Sequence, residues 1–241
     1  MKRILAGQTA LVTGGTRGIG LAVARSLLHK GVQVVLCSRC AADVTETVET
    51  LHSEFTAKIS GIACDLRSYS QVQEMFRFAE TEVGSIDILI NNAGVGSFHN
   101  LEEIEIEEWS RTIETNLSGV FYCCKEVLPQ MKRRGGGYII NIGSLAGKQA
   151  FAGASAYCAS KFGLVGFSES LMQEVRHDHI KVSYVMPGSV NTSFARGGEQ
   201  DPATTWKLLP EDVAQVIIDL LEMEPRALPS RVELRPSEPK K

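Results

Sequence analysis

The sequence predicts an α/β fold, a doubly wound parallel sheet of about seven strands flanked by helices. Three observations carry this. Short runs rich in valine, isoleucine and leucine recur along the chain, several of them almost continuously apolar, as parallel strands covered on both faces require. Longer stretches with helical spacing lie between them. The alternation runs over nearly all 241 residues with no internal repeat and no shift in composition, so residues 1–241 read as one domain.

The elements follow in order. Thr9–Thr13 is the first strand and leads through a glycine-rich turn into a helical stretch at 21–30. Residues 32–37 and 59–64 are the next two strands. Ser68 and Gln71 have the spacing of a capping box opening the helix before the strand at 86–90. Ile106, Trp109, Ile113, Leu117, Val120 and Cys124 follow i, i+3, i+4 spacing, which predicts one buried helical stripe. Gly135, Gly136 and Gly137 end that helix and release the strand at 138–142. The sixth strand is 181–186. Pro210, Glu211 and Asp212 suit a helix first turn, and Arg231–Leu234 is the last strand. The segment 192–205, with Gly197, Gly198 and Pro202, has the least regular pattern and is a candidate substrate lid. Residues 237–241 are expected to fray.

Charge and composition exclude several classes. A net charge of −3 offers no broad basic field for nucleic acid. No apolar run reaches the roughly 18–20 residues of a membrane span, and the first residues are too short in apolar content for a signal-peptide core. The six cysteines are irregularly spaced, which argues against a disulfide framework and for a reduced, cytoplasmic protein.

The chemistry begins after the first strand, at Thr13-Gly14-Gly15-Thr16-Arg17-Gly18-Ile19-Gly20. Glycines let backbone approach a ligand closely. The helix that follows offers unpaired N–H groups and a positive dipole to a pyrophosphate. A strand before and a helix after is the context that gives such a turn its meaning. Further motifs follow in order: Asn91-Asn92-Ala93-Gly94 after the fourth strand, Asn116 in Thr115-Asn116-Leu117, Ser144 after the fifth strand, Tyr157 and Lys161 as Tyr-x-x-x-Lys, and Pro187-Gly188-Ser189-Val190-Asn191-Thr192. This ordered set resembles the short-chain dehydrogenase/reductase superfamily, in its compact single-domain branch. In general appearance the chain is similar to 3-oxoacyl-carrier-protein reductases and related carbonyl reductases. It departs from those reductases at its end, where Arg231 to Pro236 stand in place of the usual Gly-Gly.

Tyr157 and Lys161 are four residues apart in a helical stretch and share a face. A neighbouring ammonium favours phenolate, and bringing tyrosine from about 10 to ~7 needs roughly 4 kcal/mol, which Lys161 and an oxidised nicotinamide together supply in this reading. The resemblance assigns the roles. Tyr157 gives the proton to the substrate oxygen as hydride arrives on carbon, and Ser144 hydrogen-bonds that oxygen. Lys161 holds the nicotinamide ribose and tunes Tyr157, while Asn116 anchors a water joining Lys161 to solvent. The resemblance also implies a Rossmann-like nucleotide site made of Gly14, Thr16, Arg17, Gly18, Ile19, Gly20, Asn92, Ala93 and Gly94, with Asp65 and Leu66 near adenine. Pro187, Gly188, Val190 and Thr192 complete the site near the carboxamide.

An NAD site places an acid at the end of the second strand to bind the ribose 2′-OH. This chain has Ser38 and Arg39 there, and Arg39 with Arg17 suits a 2′-phosphate, which favours NADP(H) over NAD(H). The expected function is NADP(H)-dependent hydride transfer with a ketone, aldehyde or secondary alcohol, a 3-oxoacyl thioester among them. The alternative is a non-catalytic NADP-binding regulatory protein, and such members often lose the Tyr or Lys that this chain keeps. Leu145, Gln149, Phe151, Phe194 and Trp206 are the candidates for the substrate pocket. No metal is expected. Cys37-Ser38-Arg39-Cys40 has no second ligand pair spaced to help. A homodimer or homotetramer is expected, and Lys132-Arg133-Arg134 is a basic run that an acidic acyl carrier protein could meet.

Overall fold

The computed structural model describes residues 4–96, 98–194 and 205–238. Its strands are β1 (Thr9–Thr13), β2 (Gln33–Ser38), β3 (Ile59–Ala63), β4 (Ile88–Asn91), β5 (Gly137–Ile142), β6 (Ile180–Pro187) and β7 (Arg231–Leu234). They form one sheet in the order β3-β2-β1-β4-β5-β6-β7, and every neighbouring pair is parallel. The seven expected strands are all present, with ends moved by one or two residues. The order turns back between β1 and β4, which is where such sheets bind ligands.

The helices are α1 (Gly18–His29), α2 (Ala41–Glu54), α3 (Tyr69–Val83), α4 (Ile106–Ile113), α5 (Gly119–Arg134), α6 (Ser155–Val175) and α7 (Pro210–Glu222). Alternate strand residues face opposite layers. Ala10, Val12, Val34, Leu36 and Ile140 pack with α1, α2 and α7. Leu11, Val35, Leu89, Ile139 and Val182 pack with α3, α5 and α6. That double coverage is why the strands read as continuous apolar runs rather than as alternating ones.

Local signals decide the helix ends. Gly135 takes the left-handed conformation (φ +76°) that closes α5, as the glycine run implied. Asp212 accepts a 2.8 Å bond from the Leu209 amide at the start of α7. Two expectations are corrected. The Ser68 hydroxyl accepts from the Gln71 amide at 3.4 Å, but the Gln71 side chain does not complete the capping box. It accepts instead from the Asp65 amide at 2.9 Å, which lies beyond the last ladder bond of β3.

The second correction concerns the helical stripe. It is not one helix: a π-helical turn, Glu114–Ser118, separates α4 from α5. The wider turn rotates the α4 face relative to α5. Val120 and Cys124 are buried as expected, while Ile106 and Trp109 face outward. In the basic run, Lys132 and Arg134 pair with Asp178 and Asp87 at 2.8 and 2.9 Å, leaving Arg133 without an ion pair among the described residues. No helix among the described residues is long and apolar enough to cross a membrane.

Candidate active site

A cleft of about 920 Å³ opens at the carboxyl ends of the strands. Its nucleotide end is built by the turn from β1 to α1. Gly14 sits at φ +65°, a conformation that costs any other residue strain. A Cβ on Gly20 would lie 2.1 Å from the Gly14 carbonyl oxygen and 2.4 Å from the Asn92 amide nitrogen. That amide donates to the carbonyls of Thr13 and Gly14 at 2.9 and 3.0 Å. The Thr13 hydroxyl in turn accepts from the backbone amides of Asn92 and Ala93 at 3.0 and 3.1 Å. The ends of β1 and β4 are thereby locked together.

The first turn of α1 has no side-chain cap, so its amides are free to meet an anion. The open amides and the glycines that crowd their neighbours fit a dinucleotide pyrophosphate. Gly20→Ala should therefore lower stability by about 1–3 kcal/mol through overpacking, and should weaken nucleotide binding. Thermal unfolding and a nucleotide titration check both.

Arg17 and Arg39 are exposed and line the same end with Ser38. Asp65 also lines it, but its carboxylate is held by Arg67, whose Nη2 lies 2.6 Å away and whose amide donates at 3.0 Å. The Arg67 guanidinium keeps that carboxyl below its ordinary range. Asp65 thus caps its own turn as well as facing the cleft.

At the other end, α6 carries Tyr157 and Lys161 one turn apart, both buried. The Lys161 ammonium donates to the Ile142 carbonyl at 2.8 Å and lies 5.8 Å from the centre of the Tyr157 ring. Burial pushes its pKa down to about 8. Burial also raises the Tyr157 phenol, against a hydrogen bond with Ser144 that lowers it. In the chain alone, desolvation outweighs the lowering by Ser144, while the expected lowering also draws on an oxidised nicotinamide. The Ser144 hydroxyl caps a short 3₁₀ turn, Leu145–Gly147, accepting from the Ala146 amide at 3.1 Å.

Every expected site residue lines the cleft except Gly20 and Asn116. Gly20 lies beneath the glycine turn. Asn116 sits in the π turn, where its side chain accepts from the Val95 amide at 2.8 Å and donates to the Val95 carbonyl and the Ser160 hydroxyl at 2.9 and 3.0 Å. It braces the loop after β4 and makes no bond to Lys161. Of the expected pocket residues, Leu145, Phe151, Phe194 and Trp206 line the cleft and Gln149 does not.

Sequence reasoning missed Thr13, Ser160 and Phe98. Thr13, a hydroxyl at the end of the strand that enters the glycine turn, was the one visible signal. Of the expected lid at 192–205, residues 195–204 lie outside the described residues, as do 239–241 of the expected frayed tail. Among the described residues no group of three His, Cys, Asp or Glu side chains is placed to hold a metal.

A seven-stranded doubly wound sheet, a glycine turn at its switch point and a Ser–Tyr–Lys cluster facing the same cleft define a nucleotide-dependent oxidoreductase. The family model for short chain dehydrogenases matches residues 8–203. A putative ketoacyl reductase of Streptomyces coelicolor is 37% identical over 207 residues, 85% of this chain and 79% of that protein. Carbonyl reductase family member 4 of Xenopus tropicalis is 36% identical over 216 residues, 88% of this chain and 89% of that protein. Among solved structures, a metagenomic short-chain oxidoreductase in complex with NADP superimposes with a TM-score of 0.85 at 34% identity, covering 98% of this chain and all of that one. The chain belongs to the short chain dehydrogenase family.

Proposed function

We propose that the protein is an NADP(H)-dependent carbonyl reductase, transferring hydride between the nicotinamide and a ketone, aldehyde or secondary alcohol. The observation that carries this reading is the convergence of Tyr157, Ser144 and Lys161 on the cleft that also holds the glycine turn. A solved relative bound to NADP supports it.

The amides at the start of α1, with Gly14 and Gly18, would hold the pyrophosphate. Arg39 and Arg17 would hold the 2′-phosphate, and Lys161 the nicotinamide ribose, with Val190 and Thr192 near the carboxamide. NADPH, when bound, supplies a hydride to the carbonyl carbon. Tyr157 gives its phenolic proton to the carbonyl oxygen, so ketone, hydride and proton together make the alcohol. Ser144 donates a hydrogen bond to the same oxygen and fixes its position. Asn116 acts as a positioning residue, holding the Val95 loop against α6. The exposed Ile106 and Trp109 on α4 support a homo-oligomer. The ion pairs of Lys132 and Arg134 favour a free small molecule over a substrate carried on an acidic protein.

A panel of carbonyl compounds with NADPH and with NADH tests the reading, following consumption of reduced nicotinamide. Reduction of at least one ketone or aldehyde class is expected, and turnover of none overturns it. Binding should favour NADPH. Arg39→Asp should weaken NADPH by about 10–100-fold, the range for losing one charge-assisted contact, and leave NADH bound as well or better. Equal wild-type affinities for the two nucleotides would remove the argument from Arg39 and Arg17.

A further inference from the structure

We propose that Phe98, Phe151 and Phe194 form an aromatic collar around Tyr157 that selects flat, uncharged aryl ketones. This rests on the reading of Tyr157 as proton donor. The three rings come from three different loops, after β4, after the 3₁₀ turn and after β6. The Phe98 and Phe194 ring centres lie 5.6 and 5.8 Å from that of Tyr157. The Phe151 ring lies 6.4 Å from Phe98 and within 17° of parallel to it. These are aromatic contact distances.

The rings nevertheless remain 39%, 54% and 42% exposed for Phe98, Phe151 and Phe194. Large apolar side chains left open together around a reactive hydroxyl mark a binding surface. Gly96 lets them close in: a Cβ there would stand 2.6 Å from the Phe98 ring and 2.9 Å from that of Phe194.

The collar also says what charge its occupant carries. Ring faces are negative and offer an anion no donor. They attract cations, but the Lys161 ammonium, 5.8 Å from the Tyr157 ring, repels a second positive charge there. Against the rings themselves a neutral group is favoured, the cations Arg111, Lys207 and Arg235 lining other parts of the cleft wall without a ring contact to the three phenylalanines. Between neutral groups of equal size, a flat ring can stack against Phe98 and Phe151 and a puckered ring cannot.

Acetophenone and cyclohexyl methyl ketone have the same carbon count and the same reacting group, and differ in flatness. Calorimetric binding to the protein with NADP⁺ should favour acetophenone by about 10-fold, with KM for reduction following the same order. Phe98→Leu with Phe151→Leu should erase that preference by weakening acetophenone. Retained NADP⁺ affinity reports that the variant is folded. Equal wild-type affinities, or a preference that survives in the double variant, overturn the collar. Because binding is read without turnover, a protein that prefers acetophenone yet turns over no carbonyl compound of the wider panel would sink the carbonyl-reductase reading and leave the collar standing.

Discussion

Tyr157→Phe is expected to lower kcat for ketone reduction by about 10²–10⁴-fold, the usual worth of a positioned general acid. The substitution removes only the hydroxyl. The ring keeps its contacts with Phe98 and Phe194, so the cleft keeps its shape. NADPH affinity should change by less than about two-fold, since the phenol is assigned to the substrate oxygen. Burial holds the Tyr157 phenol above its ordinary pKa, so it is protonated throughout neutral pH. Reduction should therefore lose no rate from this group until the solution is alkaline. Steady-state kinetics with a nucleotide titration checks the split, and wild-type turnover in the phenylalanine variant would overturn the proton-donor role.

Lys161→Met is expected to move activity and stability in opposite directions. The buried ammonium has a pKa of about 8, against roughly 10.4 in an unfolded chain. Between those values the unfolded chain binds more protons, so stability rises with pH through the window and falls back as pH drops through about 8. At neutral pH the buried charge therefore costs the fold, on the order of 3 kcal/mol from the difference in pKa. An apolar side chain of similar length removes that cost and gives up the bond to the Ile142 carbonyl. The variant should melt at a higher temperature than wild type at pH 7, with a flatter dependence between pH 8 and about 10. Its turnover should fall by about 10²-fold or more, with weaker NADPH binding. A lower melting temperature at pH 7 would show that the ammonium stabilises the fold rather than straining it.

The sheet was legible because each strand is a short Val/Ile/Leu run between glycine or polar breaks. The start of the helix at Pro210 and the end of α5 at Gly135 were legible from their end signals. The π turn was not. An extra residue per turn leaves no mark in composition, so Ile106 and Trp109 read as one stripe with Val120 although they face outward. Gln71 was misread because a competing donor, the Asp65 amide, comes from outside its helix. At the site, the glycine turn and the Tyr157–Lys161 pair could be found because their spacing is local, and Ser144 through the ordered set of motifs that carries the family resemblance. Phe98 could not be found, because its partner rings lie far along the chain and loops carry no periodicity. Asn116 was found by its motif, and its bonds to the loop after β4 could not be read from spacing because Val95 lies 21 residues before it.

The lock between β1 and β4 has a consequence for the life of the chain during its synthesis. The amide of Asn92 that closes the glycine turn belongs to a residue 79 positions after Thr13, the residue whose carbonyl receives it. At translation rates of about 5–20 residues per second, the finished first strand waits roughly 4–16 s for that partner. No parallel neighbour can reach β1 sooner than β2, which arrives first and pairs along its whole length. Until Asn92 emerges, the other edge of β1 is an open row of unpaired backbone groups. The newborn nucleotide turn thus keeps one side open until the residue that closes it has been made.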